Sequence, residues 1–107
     1  MIISTTNDLP GYEVTEVIDI ARGSTVRARH IGRDLSAVFK SMVGGEIKEY
    51  TRLMADAREQ AIDRMVADAE ELEADAIINV RFMTSMVLQG SSEILAYGTA
   101  VKVRKKV

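Results

Sequence analysis

The longest continuous signal in the chain is the recurrence of Ile47, Tyr50, Met54, Ala57, Ala61, Met65, Ala69 and Leu72 at steps of three and four. Side chains spaced in this way share one face of an α-helix, and the charged residues between them share the other. The pattern predicts an amphipathic helix from about Glu46 to Glu73, roughly 42 Å long at 1.5 Å per residue. Gly45 stands at its cap, and Glu46 and Glu49 fall in the first turn, where the positive end of the helix dipole favours carboxylates. A shorter helical repeat of Leu35, Val38, Phe39 and Met42 follows Gly32-Arg33-Asp34, with Asp34 as N-cap and Gly44 suited to end it in the left-handed conformation.

Elsewhere the period is two. Ile2 to Thr5 reads as a short strand and Leu9-Pro10-Gly11-Tyr12 as a turn, since proline presets φ at one central position and glycine permits positive φ at the next. From Glu13 to Ala21 alternation places Val14, Ile18 and Ile20 on one face and Thr15, Val17, Asp19 and Ala21 on the other; Gly23-Ser24 predicts a break or bulge before Thr25 to Ala28. Ile77 to Leu88 and Ser92 to Val103 read as a hairpin turning at Gly90-Ser91. That turn sets Ile78 opposite Val103, Val80 opposite Val101, Phe82 opposite Thr99, Thr84 opposite Tyr97 and Met86 opposite Leu95, an apolar face expected to meet the long helix. The other face, with Asn79, Arg81 and Met83 opposite Lys102, Ala100 and Gly98, mixes small and apolar residues, so a cover is expected there too.

These elements give an α+β single domain spanning 1–107, with the long helix packed on an antiparallel sheet. The helix outruns a small sheet, so its end is expected to meet a second copy of the chain. The composition, 47% hydrophobic and 28% charged at a net charge of −2, is that of a folding chain. The start lacks the basic and apolar regions of a signal peptide, and no apolar run approaches the roughly 18 residues of a membrane span. A cytoplasmic protein without a membrane partner is expected.

Charge is unevenly placed. Ten acids from Glu46 to Asp75 face four bases, Lys48, Arg52, Arg58 and Arg64, which makes the helix acidic. Arg22, Arg27, Arg29 and Arg33 form one basic cluster, and Lys102, Arg104, Lys105 and Lys106 another. Such segments complement one another within or between subunits, or attract an anion.

The search for chemistry excludes more than it finds. With no cysteine and a single histidine, His30, one chain cannot supply the usual three or four N/S ligands of zinc, copper or nickel. Carboxylates suit a hard cation, but no Asp-x-Asp-x-Asp loop occurs. Gly44-Gly45-Glu46 is too short for a phosphate loop, and no nucleophile motif is present, so no catalytic residue, cofactor or metal is assigned and an enzyme is not expected. Three tyrosines, two phenylalanines and no tryptophan offer little for stacking bases, so nucleic acid is not an expected partner. Met54 and Met65 on the helix, and Met83 and Met86 on the hairpin, read as adaptable packing.

Gly44-Gly45-Glu46, Tyr50, Ala57-Arg58, Ala61, Arg64-Met65, Ala74-Asp75-Ala76-Ile77-Ile78, Val80-Arg81 and Glu93 with Tyr97-Gly98-Thr99-Ala100-Val101 together resemble the YbjQ-like family of small bacterial proteins. Thr5-Thr6 and Pro10-Gly11-Tyr12 fit as well, so the resemblance covers nearly the whole chain. Glu73 and Asn79 depart from it, standing where the family usually has glycine. The resemblance implies a dodecin-like β-α-β-β fold and assembly into a ring, a homopentamer, and it brings a heavy-metal-binding label but no mechanism.

The resulting expectation is a non-catalytic, ring-forming binding or scaffold protein. A small anionic ligand is expected at a subunit boundary near the start of the long helix, around Gly44, Gly45, Glu46 and Tyr50, close to Arg58 or to Arg81, Glu93 and Tyr97 of the hairpin. Two other readings stand beside it: a metal-ion binder with oxygen ligands, and an enzyme of unknown reaction. The same polar residues also suit purely architectural ion pairs between subunits.

Overall fold

The computed structural model describes residues 1–27, 48–88 and 91–107. Within them the order is β1 (Ile2–Ile3), β2 (Tyr12–Arg27), α1 (Lys48–Glu71), β3 (Ala76–Leu88) and β4 (Ser91–Lys105). The short helix expected after Asp34, together with His30, Gly44, Gly45 and Glu46, lies outside the described residues. The sheet is four-stranded in the order β1-β3-β4-β2. It is mixed rather than antiparallel, because β1 runs parallel to β3. The expected turn before β2 forms: Tyr12 N–H donates to the Leu9 carbonyl at 2.9 Å, with Gly11 at φ 85°.

The helical stripe is the core. Ala57, Ala61, Met65 and Ala69 are fully buried, and Met54 and Leu72 pack against them. Small side chains let α1 lie close to the sheet, and Gly23 of β2 completes the approach: a Cβ there would collide with the backbone of Met65 and Ala61. The expected break at Gly23-Ser24 does not occur, since β2 runs through both residues. Glycine here makes room for the helix.

The register corrects the expected faces. Ile78 lies opposite Thr99, and Arg81 lies opposite Tyr97, with a bulge between the two pairs. Asn79 carries the bulge at φ 55°. Bulging moves Val80 to the helix side beside Ile77, so α1 meets Ile77, Val80, Ile94, Ala96 and Ala100, most of them from the face expected to be mixed. The cover expected on that face is therefore the helix. Among the described residues the opposite face is covered at one end only, where Leu9 packs with Ala76, Ile78 and Val101, and Ile2, Tyr12 and Val103 join them. Leu88 pairs with Ser91, so Ser91 belongs to the ladder and not to the turn, while Gly90 lies outside the described residues.

Two further irregularities interrupt β2, between Val14 and Glu16 and between Val17 and Asp19. They put Val14, Val17 and Ile20 opposite Val103, Val101 and Thr99, a three-residue step on one face where strict alternation predicts Val14 with Ile18. Ile18 instead packs on the helix-side core. Of the hairpin methionines, Met83 is 52% exposed and Met86 79%, so neither serves as core packing in this chain.

Candidate functional site

The bulge at Asn79 aims Arg81 away from the helix, and its partner across the ladder is Tyr97. Tyr97 in turn pairs with Arg22 of β2. Arg22, Tyr97 and Arg81 thus form a row across three strands on the face opposite α1, since Ala96 and Ala100, whose neighbours alternate with them, face the helix. Arg81 Nη1 donates to the carbonyls of Thr5 at 2.9 Å and Val80 at 2.8 Å. Both acceptors are neutral, so these bonds fix the guanidinium without cancelling its charge.

Glu93 lies on the same face, paired with Ser85 on one side and Val26 on the other. It lines an open depression of about 620 Å³ with Arg22, Gly23, Ser24, Arg64 and Leu95. Arg64 reaches it from α1, its Nη1 donating to the Ser24 carbonyl at 2.5 Å. A smaller depression of about 180 Å³ adjoins Arg22 and is lined by Asp19, Ile20, Asp68 and Leu72. Asp68 there accepts the Arg22 backbone N–H at 3.0 Å, leaving the Arg22 guanidinium with no ion pair among the described residues. The same holds for Arg58, Arg64 and Arg81.

Of the residues expected to form a site, the fold brings together Arg81 and Tyr97 and places Glu93 four residues along the same strand. Arg58 is exposed on α1, across the sheet from Arg81 and Tyr97, so one chain does not join it to them. Tyr50 lies in the first turn of α1. Arg22 and Arg64 were not among the candidate ligand residues; Arg22 is legible as Tyr97's neighbour only once the β2–β4 register is known.

The donor set does not suit a resident heavy metal. No cysteine exists, the one histidine is His30, and among the described residues no three of His, Cys, Asp or Glu converge on one point. No described helix is long and apolar enough to cross a membrane.

Comparison with known proteins places these features in a group. A family described as "Putative heavy-metal-binding", YbjQ-like in name, matches residues 1–104. A UPF0145 protein of Methanosarcina acetivorans is 55% identical over 106 residues, covering 99% of this chain and all of the relative. Another from Thermosipho africanus is 51% identical over 105 residues, 98% of this chain and 97% of that one. A crystal structure of a protein of unknown function from Pediococcus pentosaceus, assigned to the DUF74 family, superposes with a TM-score of 0.64 over 97% of this chain and 98% of its own, at 18% identity. That likeness establishes a shared fold.

Proposed function

The chain belongs to the YbjQ-like family, and from that premise we propose that it is a non-catalytic cytoplasmic protein that assembles into a dodecin-like ring and holds a small anion at a subunit boundary. The row of Arg22, Tyr97 and Arg81 carries this reading. Two guanidinium groups flank a phenol on the sheet face opposite α1, and neither is neutralised by a carboxylate among the described residues. Uncompensated arginine favours anions, and its planar fork of donors suits carboxylate or phosphate. Glu93 and Arg64 lie next to the row.

Thermal unfolding with inorganic phosphate, alongside light scattering, tests the reading. Phosphate is expected to raise the midpoint of the wild-type protein. Arg81→Ala is expected to lose that rise while keeping the assembled mass. Loss of assembly in Arg81→Ala, with no phosphate effect on the wild type, would make these residues architecture instead.

A further inference from the structure

The larger depression beside β2 gathers three charged side chains from three elements: Arg22 from β2, Arg64 from α1 and Glu93 from β4. The ladder sets their order. Arg22, Ser24 and Val26 alternate on one face of β2, opposite Tyr97, Leu95 and Glu93 of β4. The step from Arg22 to Val26, which lies opposite Glu93, spans roughly 13 Å of extended backbone. Arg64 enters between these ends, where its Nη1 donates to the Ser24 carbonyl at 2.5 Å. Leu95, half-buried, supplies an apolar lining at the same level.

Opposite charges therefore line one hollow without meeting. No ion pair joins Glu93 to Arg22 or Arg64, and neither arginine has a carboxylate partner among the described residues. The bond from Arg64 goes to a neutral carbonyl and leaves its charge in place. An inorganic anion would suit the two arginines but meet the Glu93 carboxylate with like charge. A hard cation needs several oxygen ligands, and Glu93 is the only carboxylate among the described residues that line this hollow. A molecule that carries both charges satisfies all three side chains.

We infer that this depression takes a small zwitterion of the ω-amino carboxylate class. Its carboxylate meets the guanidinium groups of Arg22 and Arg64, its methylene chain runs along Leu95, and its ammonium meets Glu93. The volume of about 620 Å³ is that of a small-molecule site. All of the lining comes from one chain. The inference rests on the anion reading, with which it shares Arg22, and names the ligand class; it does not depend on assembly.

Calorimetric titration of the full chain with ε-aminocaproate and with caproate tests it, since caproate has the same carboxylate and chain but no ammonium. ε-Aminocaproate is expected to bind the wild type about tenfold more tightly, the increment of one exposed charge-assisted hydrogen bond. Glu93→Gln keeps the shape of the side chain and removes its charge. It is expected to erase that preference without weakening caproate. Arg64→Met, on the exposed side of α1, is expected to weaken both ligands about tenfold. Circular dichroism checks that each variant is folded. ε-Aminocaproate that fails to bind, binds no better than caproate, or keeps its preference in Glu93→Gln would overturn the inference. A phosphate-induced rise in the wild-type unfolding midpoint would then leave the anion reading standing, and the lack of any response to phosphate or to either carboxylate would overturn both.

Discussion

Glu73 and Asn79, the two departures from the family's glycines, are the two non-glycine residues at positive φ among those described, at 60° and 55°. Each position has a geometric reason for glycine. Glu73 ends α1: Ala74 N–H donates to the Ala69 carbonyl and Glu73 N–H to the Glu70 carbonyl, both at 3.0 Å, the paired closure that needs a left-handed residue. Asn79 makes the bulge on which the register of β3 turns. A left-handed residue with a side chain costs on the order of 1 kcal/mol, less for asparagine, which visits that region readily. Glu73 also adds an acid to a helix end whose last turn has no base, where negative charge opposes the dipole. Glu73→Gly is therefore expected to stabilise the protein by about 1 kcal/mol in urea unfolding, and Asn79→Gly by less, about 0.5 kcal/mol. Glu73→Lys, which keeps the backbone penalty and reverses the charge, separates the two contributions. An unchanged urea midpoint in Glu73→Gly would mean that the surrounding closure already absorbs the strain.

At the scale of elements, what is local was legible. The stripe from Met54 to Leu72 reads directly as a buried helix face because helical neighbours are fixed by spacing within one segment. Strand faces were less legible, since a bulge shifts every residue beyond it and is set by the conformation of one or two residues. The Val14, Val17 and Ile20 spacing is the trace that two β2 irregularities leave in the sequence, and strict alternation misses it. The site suffered in the same way. Turning the hairpin at Gly90-Ser91 opposes Arg81 to Ala100, whereas the folded ladder opposes it to Tyr97. Where β2 and β4 pair at their far end, Arg104 Nη2 meets Glu13 Oε2 at 2.6 Å. This hydrogen bond, and then the charge of Arg104, holds the Glu13 carboxyl below its ordinary 4.5. A depressed carboxylate pKa contributes stability above the unfolded value and loses it as pH falls through the folded one. Arg104→Ala is thus expected to unfold slightly more easily than wild type above about pH 4.5, with the gap closing at lower pH. The pair is fully exposed, so the gap should also shrink in high salt. A gap that widens on acidification would assign the loss to packing of the Arg104 stem.

At the scale of the whole molecule, the body is more extended than a compact chain of its length. Its radius of gyration is 17.5 Å, against about 13 Å for a compact chain of this length. The extents of 59 × 26 × 16 Å describe a long, thin body. Such a shape leaves sheet surface for the assembly proposed above to cover. The proposed assembly also bears on the family's heavy-metal description. One chain offers no cysteine and a single histidine, so a soft metal could gain several nitrogen ligands only if symmetry gathered His30 from several copies around one axis. Carboxylates are plentiful, but they are hard oxygen ligands, and among the described residues no three acids converge. Elemental analysis of the untagged, dialysed protein is accordingly expected to find zinc, copper and nickel far below stoichiometry. A near-stoichiometric metal would reverse this expectation, and His30→Ala would then show its source. Loss of the metal with the fold intact would establish a histidine site, whereas retention would direct attention to carboxylates.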